Sequence, residues 1–377
     1  MRLIDQLCYP RRTPVGIFNV GLCLTSSTKD DLLSVGWKPF FQQQMLQLDE
    51  HLQPARVIAV QRTGLTVAPA VGAHTFVSVS GRFFIQDPVL RPTVGDWVAI
   101  NPVTGSLEVL LERLSLIKRL SPGTTGEVQL IAANIDTAFL VTSCNTDFNL
   151  ARLERYLSVV MEADIQPVIV LTKIDVADNP DFFIDEARKL GAHLAIEAVN
   201  ALDADSLQGL IGWCGAGQSI ALLGSSGVGK STLVNTLAGA QLQITKSARE
   251  DDDKGRHTTT HRSLHKLPSG GVILDSPGMR EFQLADAEQG LGSLFADIET
   301  LSEQCKFNDC KHSTEPGCAV QQAIENGDLE QRRLDSYFKL QREDQFNRET
   351  LAERRTRYRQ FAKTVKQATH LADKKRH

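Results

Sequence analysis

No apolar run in these 377 residues approaches the roughly 18 that cross a bilayer as a helix, so no membrane span is expected. An export signal is not expected either. Arg11 and Arg12 do precede the apolar stretch Val15 to Leu24, but that stretch is short, contains Asn19 and leads to no small-residue cleavage pattern. A disulfide framework is also missing: the cysteines number seven, an odd count, and three of them cluster. Neither sign of charge dominates, since the net charge is −4. That balance conceals an asymmetry. From Glu330 to the end there are 14 Lys/Arg against 7 Asp/Glu, a net +7 that leaves about −11 for the rest. A basic tail on an acidic body suggests that one end meets polyanion. These absences describe a cytoplasmic protein of two or three domains, long enough for a real core.

Among the features that are present, GSSGVGKS at Gly224 to Ser231 says most. It fits the phosphate-binding pattern GxxxxGK[ST]. A short apolar strand candidate, Ser219 to Leu223, runs into it, and a helix candidate, Ser231 to Ala240, follows. Glycines let backbone N–H groups close around phosphate oxygens, and the helix N-terminus adds its dipole. Gly224, Ser225, Ser226, Gly227, Val228 and Gly229 would form that cradle. Lys230 would reach the β/γ-phosphates and the Ser231 hydroxyl would ligate Mg²⁺, with Thr232 beside it.

Two further strand ends choose the nucleotide. Pro167 to Leu171 is apolar and ends in Thr172-Lys173-Ile174-Asp175, the [NT]KxD shape of guanine sites. A carboxylate at Asp175 accepts from guanine N1–H and the exocyclic amine. Adenine lacks both donors, and contacts left unmade give strong discrimination. Gly271 to Leu274 ends in Asp275-Ser276-Pro277-Gly278, where Asp275 would hold Mg²⁺ and the Gly278 N–H would face the γ-phosphate. The alternatives are a P-loop ATPase or small-molecule kinase, which Asp175 speaks against, and an RNA-binding scaffold with a regulatory nucleotide site. Lys230, Ser231 and Asp275 speak against the second.

The order of these motifs is unusual. The guanine motif precedes the phosphate loop by about fifty positions, whereas GTPases ordinarily carry it late. Strand ends at one edge of a parallel sheet can supply the same parts in any chain order, which implies a circularly permuted domain. The chain here resembles the circularly permuted small-subunit ribosome-assembly GTPases called RsgA or YjeQ. The resemblance covers roughly Pro54 to Lys339 and rests on VGDWV at Val94 to Val98, AANID at Ala132 to Asp136 and DFNLARLERYL at Asp147 to Leu157. GRHTTT at Gly255 to Thr260 and DSPGMREF at Asp275 to Phe282 complete it.

The expected architecture is multidomain: an N-terminal extension over 1–53, a β-barrel over 54–120, a permuted α/β P-loop GTPase domain over 128–290, and a zinc-binding helical domain over 291–377. Five short apolar segments punctuated by Gly and Pro between Ala55 and Leu116 suit a small barrel. The resemblance makes it an OB-fold. Strand and helix candidates then alternate, which means a parallel sheet covered on both faces. Phe40, Phe41 and Met45 fall at helical spacing and should pack onto the next domain.

Cys305, Cys310, His312 and Cys318 are spaced C-x4-C-x-H-x5-C, with ligand chemistry suited to tetrahedral Zn²⁺. The spacing departs from the usual finger pattern, so redox or chance thiols stay open on the residues alone; the resemblance implies one zinc per chain. Lys246 to Arg262 reads as a charged, Gly-broken switch loop, and Thr258 or Thr259 would reach Mg²⁺. The resemblance favours Thr259. Met279 stands where related enzymes carry a water-orienting Gln, which leaves His257 as the nearest polar candidate. The resemblance points to the same residue. It further implies GTP hydrolysis, GTP/GDP and Mg²⁺ as ligands, the small ribosomal subunit with its rRNA and assembly factors as partners, and a monomeric state. The basic tail, including Arg332, Arg333, Arg354, Arg355, Arg357 and Arg359, would either neutralise rRNA phosphates or form a solvated helix of mixed charge.

Overall fold

Short strands separated by tight turns build the first part of the chain, and mostly apolar central strands build the second. The computed structural model describes residues 11–12, 18–19, 31–61, 63–69, 73–81, 83, 88–120, 128–240, 242, 263–275 and 287–348. Contacts divide the chain into two units, Met1–Lys118 with Leu130–Arg280, and Arg119–Gln129 with Glu281–His377.

In the first unit, helix α1 (Pro39–Met45) precedes strands β1 (Gln53–Val60), β2 (Gly64–Pro69), β3 (Thr75–Ser78), β4 (Trp97–Asn101) and β5 (Ser106–Leu110). They close into a barrel in the order β1-β2-β3-β5-β4. Ala55, Val57, Leu65, Val67, Val98 and Ile100 point inward at period two and form its core with Leu107. The expected OB-type barrel is present. VGDWV is what locks it. Gly95 adopts φ 92°, and a Cβ there would lie 2.1 Å from the Ala133 carbonyl. Asp96 is fully buried, and Arg113 clamps it with two bonds of 2.7 and 2.8 Å. The ribbon formed by β6 (Leu116–Leu120) and β7 (Val128–Ala133) was not expected from the sequence.

The remaining strands of this unit are β8 (Thr137–Ser143), β9 (Gln166–Thr172), β10 (Ala195–Val199), β11 (Ser219–Leu223), β12 (Ser263–Lys266) and β13 (Val272–Asp275). Their spatial order is β10-β9-β8-β11-β13-β12, parallel except for the antiparallel edge pair β12–β13. Helices α2 (Leu150–Glu162), α3 (Pro180–Arg188) and α4 (Lys230–Ala238) connect them. Phe139, Val141, Val168, Val170, Leu222 and Ile273 carry one packed face, and burial on both faces explains their near-continuous apolar character. The single helix expected over Asp205 to Trp213 is broken instead: only Gln208–Ile211 is α-helical, between two short tight turns. Gly209 and Gly212 weaken it at both ends. Among the described residues no helix is long and apolar enough to cross a membrane.

The N-terminal ends of β8 and β11 are clasped to the barrel by one buried arginine. Arg56 has no accessible surface. Its guanidinium donates to Ser219 Oγ at 2.8 Å, to the Asn134 carbonyl at 3.0 Å, to the Gly95 carbonyl at 3.2 Å and to the Val35 carbonyl. Burial pulls its pKa down to about 10, with Asp136 and Asp96 acting the other way, so it stays charged at neutral pH. Asp136 pairs with Lys38 and accepts from the Ser219 N–H at 2.9 Å. Gly36 (φ 86°) admits the guanidinium, since a Cβ there would lie 2.2 Å from Arg56 Nη1. Phe41 and Met45 of α1 are buried as expected, with Phe41 5.7 Å from Trp97, while Phe40 is only half-buried. Arg56→Met should lower stability by about 3–5 kcal/mol, because the acceptors left behind are buried. Chemical unfolding reads this directly; an unchanged midpoint would mean that those carbonyls find other donors.

The second unit carries α5 (Glu288–Leu294), α6 (Ala296–Ser302), α7 (Ala319–Asn326) and α8 (Gln331–Arg348). Phe295, Ile298, Val320, Leu334 and Leu340 are buried in it. Arg333, one of the candidate phosphate-binding residues, is committed elsewhere. It forks onto Asp297 at 2.6 and 2.9 Å and lies over the Phe295 ring, so its role here is internal. Arg354, Arg355, Arg357 and Arg359 lie outside the described residues.

Candidate functional site

The phosphate-loop sequence sits at the C-terminal end of β11, beside the point where the sheet order reverses between β8 and β11. In an open parallel sheet that is where ligands bind. Three glycines take backbone angles open to glycine: Gly224 at φ 154°, Gly227 at 87° and Gly229 at 96°. The need is steric at Gly224, where a Cβ would stand 2.3 Å from the Val141 carbonyl. Gly229 precedes α4 and no side chain caps that helix, and the positive end of a helix favours an anion. Ser226 and Gly227 are exposed, while Ser225, Val228 and Lys230 are buried. Lys230 Nζ donates to the Gly224 carbonyl at 2.7 Å and to the Ser225 carbonyl at 2.5 Å. The ammonium is thus folded across the loop, within reach of anything the loop encloses. Ser231 and Thr232 occupy the first turn of α4, half-buried.

The guanine motif meets this loop directly. Thr172 ends β9, and its Oγ1 lies 2.6 Å from the Val228 carbonyl. Lys173 Nζ donates to the Gly227 carbonyl at 2.9 Å. Asp175 is exposed. Thr172-Lys173-Ile174-Asp175 and Gly224 to Ser231 are therefore in contact although reversed along the chain. The loop after β10 is held nearby: the Ala201 carbonyl accepts from Thr236 Oγ1 of α4 at 2.7 Å, and Asn200 Oδ1 accepts from the Leu202 N–H at 3.0 Å. The Asp275 backbone ends β13, opposite Ser263. Gly278, His257, Thr258, Thr259 and Met279 lie outside the described residues.

One contributor was missed in the sequence. Tyr156, on α2, is hydrogen-bonded to Ser225, and burial pushes its phenol pKa up. Only its place in DFNLARLERYL could have drawn notice; nothing local marks a tyrosine as a phosphate-loop support.

The second cluster is built in the other unit. The ligand atoms of Cys305, Cys310, His312 and Cys318 all lie within 4.8 Å of one another. Cys305 Sγ is 3.6 Å and Cys318 Sγ 3.4 Å from His312 Nδ1, and the two sulfurs are 3.9 Å apart. A tetrahedral zinc ion with ordinary bond lengths requires edges of about 3.8 Å between sulfurs and about 3.6 Å from sulfur to nitrogen. The residues fit that ion.

The surrounding groups prepare the ligands. Ser302 Oγ lies 2.8 Å from the Ile298 carbonyl and 3.0 Å from His312 Nε2, while His312 Nδ1 is the ring nitrogen that faces the thiols. With a proton on Nε2 donated to Ser302, the Nδ1 lone pair is the one available to a metal. Cys318 caps α7 and its Sγ accepts from the Gln321 N–H. Cys305 loses solvent, which opposes ionisation, yet the N–H groups of Ala319 and Val320 hold its thiol below the usual value. Two thiolates this close repel each other, and Cys310 is pushed up to about 11, first by loss of solvent and then by Cys318 and Cys305. Glu315 accepts from the N–H groups of Lys311, Ser313 and Thr314, shaping the loop between His312 and Cys318.

Comparison with known proteins agrees with these features. The chain matches the RsgA GTPase family over residues 110–285. A small ribosomal subunit biogenesis GTPase, RsgA 2, of Vibrio parahaemolyticus is 52% identical over 93% of this chain and 95% of its own length. A small ribosomal subunit biogenesis GTPase RsgA of Mesorhizobium japonicum is 45% identical, over 85% of this chain and 92% of its own. Among solved structures, YjeQ of Thermotoga maritima covers 78% of this chain and 98% of its own length at 25% identity, with a TM-score of 0.56. YloQ, described as a circularly permuted GTPase, covers 80% and 97% at 26% identity, with a TM-score of 0.54.

Proposed function

Because this chain belongs to the RsgA family of circularly permuted GTPases, we propose that it hydrolyses GTP at the junction of β9 and β11 and serves the maturation of the small ribosomal subunit. The observation that carries the GTP site is the hydrogen bonding of Thr172 and Lys173 to the phosphate loop. In this reading the carboxylate of Asp175 serves guanine and the ammonium of Lys230 serves phosphate in one site.

The backbone from Gly224 to Gly229 and the first turn of α4, with Thr232, surround the phosphates. Lys230 exchanges its two carbonyl partners for the β/γ-oxygens, where its full charge meets a full opposite charge. Asp175 accepts from guanine N1–H and the exocyclic amine. The Gly278 N–H would face the γ-phosphate. Mg²⁺, which the family implies, would be held by Ser231, Asp275 and Thr259, and supplies neutralisation of the charge that builds on the transferred phosphoryl group. Met279 can neither donate to nor accept from a water usefully, so His257 takes the task of orienting the attacking water. His257→Ala should leave GTP affinity unchanged while lowering subunit-stimulated turnover; turnover equal to the unaltered protein would remove His257 from the mechanism.

Zn²⁺ would be held by Cys305, Cys310, His312 and Cys318, and would supply a cross-link between the short segments that carry them. The barrel and this module are the rRNA contacts in this reading. GTP turnover measured with and without purified small subunits, and against ATP as competitor, is the deciding experiment. Turnover unaffected by subunits would sink the ribosomal part, and ATP competing as well as GTP would sink the guanine part.

A further inference from the structure

The segment DFNLARLERYL belongs to no phosphate or guanine motif, yet in the folded chain it ends at the phosphate loop. Asn149 caps α2 by accepting from the Arg152 N–H at 2.9 Å. Arg152 turns back to Asp147, meeting its carboxylate at 3.2 Å and donating to its carbonyl. These contacts fix where α2 begins. Leu153, Leu157 and Val160 are buried, and the helix packs against β8 and β9. Tyr156 follows Arg152 by four residues, on the same side of the helix. It is only 2% exposed, and its phenol is hydrogen-bonded to Ser225.

Ser225 is also a residue that Lys230 holds. Its carbonyl accepts from Lys230 Nζ at 2.5 Å, beside the Gly224 carbonyl at 2.7 Å. Those two bonds are the ones given up when the ammonium turns to phosphate oxygens. Ser225 then loses a fastening on its carbonyl, while the bond from its side chain to the phenol is unaffected. The loop is unevenly supported as well: Ser226 and Gly227 are exposed, whereas Ser225 is buried. A buried hydroxyl left without a partner costs about 1–3 kcal/mol, so moving Ser225 away from Tyr156 is unfavourable.

We propose that Tyr156 is a positioning residue of the phosphate loop, holding Ser225 in place from α2 while Lys230 changes partners. The inference rests on the GTP-site reading above and gives DFNLARLERYL a task within it. Asp147, Asn149 and Arg152 set the start of the helix, and the helix presents the phenol. Because the bond lies on the phosphate side of the site, GTP and GDP should depend on it alike. Preference for guanine over adenine should not depend on it.

Tyr156→Phe keeps the ring and deletes the hydroxyl. Competition against a fluorescent GDP on the full chain should show GTP and GDP weakened in parallel, by about three- to thirty-fold. Ser225→Ala removes the other end of the same bond and should weaken both by a similar factor. Adding Tyr156→Phe to Ser225→Ala should then cost less than a further two-fold, because the two residues act through one contact. A role in packing alone would give the same loss in either background, and that result overturns the proposal. So does a Tyr156→Phe variant that binds both nucleotides as tightly as the unaltered protein, weakens GTP alone, or changes the preference for GTP over ATP. Should Tyr156→Phe not fold, the Ser225 variants decide. Loss in Ser225→Ala with recovery in Ser225→Thr, which keeps the hydroxyl, supports the proposal; no loss, or no recovery, overturns it. Failure of the unaltered protein to bind GTP at all is a separate result, and it would overturn the underlying site together with this inference.

Discussion

Exchanging Asp175 for Asn is expected to lower GTP affinity by about 10²- to 10⁴-fold, from two charge-assisted hydrogen bonds worth roughly 1.5–3 kcal/mol each. The same exchange should raise affinity for xanthosine triphosphate. The carboxylate accepts twice, once from ring N1–H and once from the exocyclic amine. The amide keeps one acceptor and turns a donor toward that amine, so donor faces donor. Xanthine carries a carbonyl where guanine carries the amine, and the new donor then has a partner. Asp175 is exposed, so the exchange removes no buried contact, and loss of affinity through unfolding is not expected. Competition binding with GTP, xanthosine triphosphate and ATP checks the result. A variant that still prefers GTP would show that Asp175 does not face the base.

Withdrawing zinc is expected to unfold the helical unit and to spare the nucleotide site. Structural zinc sites of this ligand type contribute about 10–16 kcal/mol of binding free energy in small peptides. A domain's entire stability is about 5–15 kcal/mol, so such an ion would decide whether the module folds. Cys318 has two roles, since its sulfur both faces the cluster and caps α7. Cys318→Ser, or a strong chelator, should therefore abolish stoichiometric zinc and reduce helicity. GTP affinity should be retained, because the phosphate loop and the guanine motif belong to the other unit. Metal analysis with circular dichroism and GTP titration reads all three. Because the ligands bind as thiolates and neutral imidazole, zinc should be lost as pH falls. A chain that keeps its helicity through chelation would rule out a structural metal.

Both predictions concern residues whose chemistry was legible before any coordinates. Lys230, Ser231 and Asp175 belong to short motifs because phosphate and guanine dictate residue types at fixed local spacing, and local spacing is written in the chain. The Cys305 to Cys318 cluster is legible for the same reason, with fourteen consecutive positions supplying every ligand. Arg56 was not legible. Its partners Val35, Gly95, Asn134 and Ser219 come from four separate segments, and no spacing rule announces a residue whose contacts lie up to 163 positions away. Arg333 was misjudged from composition alone, since charge in a basic stretch does not reveal a carboxylate waiting on another helix. Tyr156 and Ser302 were passed over because each acts through a neighbour that only folding supplies.

By itself, then, the amino-acid order determined the GTPase family, the permuted arrangement and the cysteine–histidine cluster, all of which depend on residue type at short range. Tertiary structure alone decided that the TKxD segment grips the phosphate loop, that one buried arginine clasps the barrel to the sheet, and which nitrogen of His312 faces the thiols. Those outcomes depend on which donors and acceptors lose water together, and that is known only once distant strands have been brought side by side.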